Sequence, residues 1–269
     1  MSIDEVTIST SAAKLRALVH GEGPAVLLIH GWLHSADIWL DVLKQMPVDY
    51  RVIAIDLPGH GKSNPVENCP VTIDFFSAIV EAAIAECASG KLAALVGDSM
   101  GAVIALKLLA GSNNFRETKV LLSGCPFYGL PVFFRFFLFK GIIGYNLRML
   151  KKMGHFSESL IKFWSFLTLK NANSINQVLL QSVRAADPET AARLFRQFVH
   201  RTDIDLNQVQ CNLPIVVIRG EFDRIISKRN SIRLSRALDS QHLEIPNAGH
   251  TPMIENTSEY AAALLALLN

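Results

Sequence analysis

Residues 92–110 read LAALVGDSMGAVIALKLLA. The run Leu92–Val96 is unbroken and apolar, as a strand buried on both faces of a parallel sheet must be. Gly97-Asp98-Ser99-Met100-Gly101 follows, and then Ala102–Ala110, apolar and rich in good helix formers. Strand, G-x-S-x-G, helix is the context of a nucleophile elbow. Its turn is so tight that side chains two before and two after the serine collide with neighbouring backbone, and glycine at 97 and 101 removes the collision. Ser99 is therefore expected at the exposed tip, in a strained conformation, above a helix N-terminus whose partial positive charge favours an anion. The opposing reading is an ordinary Gly-rich strand-to-helix turn with a solvent-facing serine. The rest of the chain decides between the two.

Outward from the elbow, strands and helices alternate. Val6–Ser9 and Leu15–Val19 predict an antiparallel pair at a sheet edge, and Gly21–Pro24 a turn. Ala25–Ile29 predicts a buried strand ending at His30-Gly31-Trp32, and Ser35 is placed to cap a helix whose apolar face is Ile38, Trp39, Val42, Leu43 and Met46. Arg51–Ile55 is the next strand, and Thr72–Ala88 a helix. Beyond the elbow come a strand at Lys119–Leu122, a strand at Ile215–Arg219, a helix at Ser227–Leu238, a strand at His242–Ile245 and a closing helix at Thr257–Leu268. This order predicts an α/β fold with a mostly parallel sheet covered on both faces. The rhythm breaks at Cys125-Pro126, and up to Asp205 only helical patterns occur. Residues 1–125 and 206–269 are thus expected to form the core, with 126–205 inserted as a helical cap over the sheet's carboxyl edge, where open α/β folds bind ligands.

Composition narrows the function classes. Half of the 269 residues are hydrophobic and 19% are charged, so the chain can bury a large core. A net charge of +2 gives no whole-chain case for nucleic acid. Cys69, Cys87, Cys125 and Cys211 are widely spaced, which suits neither a disulfide framework nor a metal site. The N-terminus carries no basic-then-apolar signal, and no apolar stretch is long enough to span a bilayer. A cytoplasmic enzyme without a transmembrane segment is the expectation.

A serine hydroxyl is a weak nucleophile and needs a base within hydrogen-bond reach, itself oriented by a third group. His250, in Asn247-Ala248-Gly249-His250-Thr251-Pro252, follows the last strand. Asp223, in Gly220-Glu221-Phe222-Asp223, follows the strand before it. Both then fall at the carboxyl edge, in the order Ser99, Asp223, His250. Glu221 is expected to be a solvated loop residue. His30 is read as shaping the loop before Trp32, and the histidines at 20, 34, 60, 155, 200 and 242 as surface or structural residues. An oxyanion needs two preorganised donors, and the backbone amides of Met100 and Trp32 are placed to supply them.

These motifs have a family signature. HGW at 30–32, DLPGHGKS at 56–63, GDSMG at 97–101, GEFD at 220–223 and GHTP at 249–252 lie in the order and spacing of the α/β-hydrolase superfamily, which the chain resembles over nearly its whole length. The resemblance implies nucleophile Ser99, acid Asp223, base His250 and oxyanion amides at Trp32 and Met100. It implies no metal and no organic cofactor, and it makes DLPGHGKS a structural landmark. Two positions depart from the family pattern. Asp98 stands where many members carry histidine or tryptophan, and a carboxylate there either raises the pKa of His250 or acts as a hydrogen-bonded supporting group. Ala102 replaces a common second glycine.

Epoxide hydrolases and haloalkane dehalogenases of this fold use an aspartate nucleophile, so Ser99 disfavours them. Carbon–carbon hydrolases and thioesterases share the triad order and remain alternatives, as do non-catalytic binding members of the fold. The segment 126–139 packs six phenylalanines into fourteen residues, and Phe127, Phe133 and Phe136 are candidates for an acyl pocket. Between 126 and 205 there are eleven Lys/Arg against five Asp/Glu, a local net charge of +6. A basic, apolar lid suits an anionic carrier such as an acyl-carrier protein or coenzyme A, with Arg148, Lys151 and Lys152 as candidate contacts, or an acidic membrane surface, or else is a solvated helix face. HGW followed by Trp39, with a basic helical cap, is similar to the carboxylesterases of biotin synthesis, which remove the methyl ester from pimeloyl-acyl-carrier protein. That resemblance implies a small-molecule or carrier-linked acyl ester as substrate.

Overall fold

The computed structural model describes residues 2–65, 67, 69–131, 168–170, 177–200 and 202–269. Strands β1 (Asp4–Ser9), β2 (Lys14–His20), β3 (Ala25–Ile29), β4 (Arg51–Ile55), β5 (Ala94–Asp98), β6 (Lys119–Ser123), β7 (Ile215–Gly220) and β8 (Gln241–Ile245) form one sheet. Their order is β1-β2-β4-β3-β5-β6-β7-β8. From β4 to β8 every neighbouring pair is parallel, whereas β2 pairs antiparallel with both β1 and β4. The expected edge pair, Val6–Ser9 with Leu15–Val19, is therefore present and slightly longer at its outer ends.

Alternation along the strands divides the core into two layers. Leu27, Ile29, Ile53, Ile55, Leu95, Leu122 and Val217 face the side covered by α2 (Ile73–Ala88) and α3 (Met100–Gly111). Val26, Leu28, Val52, Val96, Leu121 and Ile218 face the other side, where Trp39, Val42 and Leu43 pack with Tyr260 and Leu264 of the closing helix Thr257–Leu268. Central strands with both faces buried read as continuous apolar runs, which is why β3 to β7 stand out in the sequence.

Two local expectations need correction. Ser35 does precede a helical turn, but that turn is a 3-10 segment, Ala36–Trp39, running into a short α1 (Leu40–Leu43). The Ser35 hydroxyl caps no backbone amide; it lies 2.7 Å from the Ser182 hydroxyl. The second correction is a short helix, Pro252–Glu255, that the sequence reading leaves inside a loop. Four residues are too few to register as a periodic pattern.

Between β6 and β7 the described residues include two helices, α4 (Gln177–Ala185) and α5 (Pro188–Phe198). Asp187 caps α5 by accepting from the Thr190 amide at 2.8 Å, and Pro188 opens it. Ala191, Leu194, Phe195 and Phe198 recur at helical spacing and are all buried. They hold α5 on the loops at the carboxyl edge, where the Trp32 indole N–H donates to the Ala191 carbonyl at 2.7 Å and the Asp187 amide to the Gly59 carbonyl at 2.7 Å. Phe133, Phe136, Arg148, Lys151 and Lys152 lie outside the described residues.

Candidate active site

The elbow geometry follows from the two glycines. Ser99 joins β5 to α3 with φ +50° and ψ −111°, a left-handed conformation that a side-chain-bearing residue adopts only under constraint. A Cβ on Gly97 would meet the Gly101 carbonyl oxygen at 2.5 Å, and one on Gly101 would meet the Ile29 carbonyl oxygen at 2.4 Å. Only glycine at both places lets α3 start this close to the ends of β3 and β5. The Ser99 amide donates to the Ser123 carbonyl at 2.8 Å, which pins the strained residue to the neighbouring strand. Met100 is the first residue of α3, so its amide lies at the helix N-terminus next to the serine.

Two carboxyl-edge loops converge on that point. The loop after β8 brings His250 Nε2 to 3.0 Å from Ser99 Oγ, and the loop after β7 brings Asp223 Oδ2 to 2.9 Å from His250 Nδ1. The second oxygen of Asp223 accepts from the amides of Ile225 and Ile226 at 2.7 and 2.9 Å. The carboxylate is thus fully committed, and its orientation is fixed. Burial alone would lower the pKa of His250. The charge of Asp223, its hydrogen bond and the more distant charge of Asp98 outweigh burial and raise it above 6.5.

Other residues set up these loops without touching Ser99. Arg219, buried at the end of β7, donates to the carbonyls of Glu221, Asp223 and Ile226 and pairs with Glu244. The Glu255 carboxylate accepts from the amides of Gly249 and Lys170, both at 2.6 Å, and the His250 amide donates to the Thr168 carbonyl at 2.6 Å. The sequence offered no sign of either role, because a charged residue in a strand or a short helix reads as a surface residue until its partners are known. Glu221 is exposed, as expected, and accepts from the Asn247 amide.

His30 accepts from the Leu57 amide at Nε2, 3.0 Å, so Nδ1 carries the proton and lies 2.7 Å from the Gly31 carbonyl oxygen. Burial and the neighbouring His60 push its pKa well below the usual histidine range, so it serves as a neutral brace for the Gly31-Trp32 loop. Asp56 of DLPGHGKS accepts from the amides of Ala36 and Lys62 at 2.6 and 2.8 Å, tying two loops together at a distance from Ser99.

A narrow apolar pocket opens on Ser99 and His250. Among the described residues its walls are Trp32, Leu130, Phe195, Phe198 and Ile225, with His34 as a further polar residue. Trp32 packs against Phe195 with ring centres 4.7 Å apart and ring planes tilted by 58°. Phe127, an acyl-pocket candidate from the sequence, is not among these residues; it is buried edge-on against Tyr128. Among the described residues the pocket's phenylalanines come instead from α5, where they read in sequence as ordinary helix-burying residues. His34, expected at the surface or in a satisfied structural role, is buried in the pocket wall with neither ring nitrogen hydrogen-bonded. Among the described residues no cluster of His, Cys, Asp or Glu could hold a metal ion.

Sheet, elbow and carboxyl-edge loops together define a hydrolase architecture, and the match at sequence level agrees: the alpha/beta hydrolase family model covers residues 26–263, so the chain belongs to that family. Among its particular relatives are enzymes named pimeloyl-[acyl-carrier protein] methyl ester esterase. The one from Xanthomonas campestris pv. campestris (strain B100) is 26% identical over 260 residues, covering 91% of this chain and 95% of the relative. That from Nitrosomonas europaea is 23% identical over 255 residues, covering 92% and 96%. An esterase from Rhodococcus sp. ECU1013 superposes with a TM-score of 0.80 at 23% identity, covering 100% of this chain and 98% of its own.

Proposed function

We propose that the chain is a serine hydrolase that cleaves carboxylic esters through an acyl-enzyme. The observation that carries this reading is the continuous hydrogen-bonded chain from Asp223 through His250 to Ser99. Ser99 Oγ attacks the ester carbonyl while His250 Nε2 takes its proton. The tetrahedral oxyanion is held by the amides of Met100 and Trp32, each worth roughly 3 kcal/mol in the transition state. His250 then returns the proton to the leaving alcohol. Water, deprotonated by the same imidazole, releases the acid and restores Ser99. Asp223 keeps the Nδ1 proton in place and stabilises the imidazolium. The reaction needs no cofactor or metal.

In this reading residues 126–205 form a cap that selects the acyl group, with Trp32, Phe195 and Phe198 gripping the part nearest the carbonyl. The finer proposal is that the natural ester is the methyl ester of pimeloyl chains carried on acyl-carrier protein, in the cytoplasm. It is supported by the relatives' names and by the net charge of +6 over 126–205, which complements an acidic carrier. Four free cysteines suit a reducing compartment. Among the described residues no helix is long and apolar enough to cross a membrane.

The test is hydrolysis of p-nitrophenyl esters from acetate to laurate by the wild type and by Ser99→Ala, followed by pimeloyl-carrier methyl ester. Turnover that disappears in the variant supports the ester-hydrolase reading. Turnover that survives it rejects Ser99 as nucleophile. Small esters cleaved well and the carrier-linked ester not at all would reject the finer substrate.

A further inference from the structure

Asp98, the residue before the nucleophile, carries a fully buried carboxyl group. It is 0% exposed, and neither carboxylate oxygen has a hydrogen-bond partner of good geometry. The group that meets it is His34, whose Nδ1 lies 3.4 Å from Asp98 Oδ2. They meet at a notch that Gly31 leaves open. A Cβ on Gly31 would stand 2.7 Å from Asp98 Oδ2 and 3.1 Å from both His34 Nδ1 and Ser99 Cβ. The imidazole of His34 and the nucleophile therefore flank the same point.

Nδ1 is the ring nitrogen near the carboxylate, at 3.4 Å, and neither ring nitrogen has a hydrogen-bond partner in this dry interior. Nine residues among those described hold a buried side-chain polar atom with no hydrogen-bond partner, and His34 is the one that also lines the Ser99 pocket. Among the described residues the other pocket walls besides Ser99 and His250 are Trp32, Leu130, Phe195, Phe198 and Ile225, all aromatic or aliphatic. Nε2 is already buried there without a partner, so an acyl chain that ends in hydrocarbon beside it leaves it unsatisfied, whereas one that carries a hydroxyl group supplies the missing hydrogen bond.

We propose that His34, beside Asp98, is a specificity-determining residue that hydrogen-bonds a hydroxyl group on the second or third carbon of the acyl chain. The substrates it favours are then 2- or 3-hydroxyacyl esters. A hydroxyl meets the requirement whichever way the proton lies, because it donates to a neutral Nε2 and accepts from a protonated one. The inference deepens the ester-hydrolase reading and rests on it.

The experiment compares kcat/KM for ethyl butanoate, ethyl 2-hydroxybutanoate and ethyl 3-hydroxybutanoate, followed by acid release in a pH-stat. The wild type is expected to favour one hydroxylated ester over ethyl butanoate by at least about tenfold. His34→Leu should bring that ratio close to one, and His34→Gln, which keeps a hydrogen-bonding amide, should restore much of it. Asp98→Asn, which removes the carboxylate beside the ring, should also reduce it. A ratio near one in the wild type, or one that His34→Leu leaves intact, overturns the proposal.

A second measurement does not need turnover. In folded Ser99→Ala protein, the side-chain nitrogen resonance of His34 Nε2 should shift with 3-hydroxybutanoate or 2-hydroxybutanoate and not with butanoate. No ester hydrolysis by the wild type would defeat the ester-hydrolase reading while this shift still decided the role of His34. Equal shifts with all three acids would show an ordered water as the partner of Nε2 and overturn the inference.

Discussion

Replacing Asp223 by asparagine tests the catalytic geometry with almost no change in volume. The two oxygens of Asp223 have different duties. One accepts from the amides of Ile225 and Ile226 at 2.7 and 2.9 Å, and the other faces His250 Nδ1 at 2.9 Å. An asparagine carbonyl must stay on the two backbone amides, because turning its NH2 toward them would oppose donor to donor in a buried site. The NH2 is then forced to face His250 Nδ1, which must give up its proton to accept. The remaining imidazole proton moves to Nε2, 3.0 Å from Ser99 Oγ, where it blocks uptake of the serine proton. An Asp→Asn change of this kind costs about 10,000-fold in a serine protease triad. That corresponds to roughly 5.5 kcal/mol of transition-state stabilisation. Steady-state kinetics on a p-nitrophenyl ester should show the loss in kcat, while the urea midpoint changes little because both backbone amides keep their acceptor. A variant retaining more than about a tenth of wild-type kcat would refute the argument, since a switched tautomer leaves no base beside Ser99.

Three further outcomes are expected. Gly101→Ala places a methyl group 2.4 Å from the Ile29 carbonyl oxygen, so backbone must shift; urea denaturation should show a loss of about 1–3 kcal/mol together with reduced activity, and wild-type stability would show that the elbow can spread. On the acidic side, kcat/KM should fall as His250 takes up a proton, with a midpoint above pH 6.5; Asp98→Asn removes one of the charges that raise this pKa, so the midpoint should move to lower pH, and a midpoint that stays or rises would show that the Asp98 charge is not felt at His250. Reversing both Lys151 and Lys152 to Glu should weaken kcat/KM for a carrier-linked ester while sparing small esters, and equal effects on the two substrates would remove these lysines from carrier binding.

The framework was legible because its signals are local. The strands from β3 to β7 are short, mostly apolar runs, and glycine at 97 and 101 answers a collision within one turn of chain. The positions of Asp223 and His250 followed from strand ends, since a residue just after a parallel strand has only the carboxyl edge to occupy. What sequence could not supply was pairing across long separations. His34 and Asp98 are 64 positions apart, and each on its own is an unremarkable polar residue. Phe195 and Phe198 show the helical period that buries α5, but the period says nothing about which end of the buried stripe meets Trp32. Phe127 was credited to the pocket for its aromatic neighbourhood, whereas its backbone carbonyl accepts from the Thr202 amide and its ring turns into the core.

The charge at Asp98 has consequences on both sides of the elbow. A carboxylate one residue before the nucleophile sits behind the reacting atoms, so its field opposes an oxyanion and favours the imidazolium of His250. A bare charge there would therefore ease proton uptake by the base while working against the anion on the same carbonyl. His34 Nδ1 lies 3.4 Å from Asp98 Oδ2 in the pocket wall, and His250 also feels the carboxylate. The arrangement makes His34 more than a filler of the space beside Gly31. Any residue that packs there without a polar atom removes the polar group beside the buried Asp98 carboxylate, neither of whose oxygens has a hydrogen-bond partner.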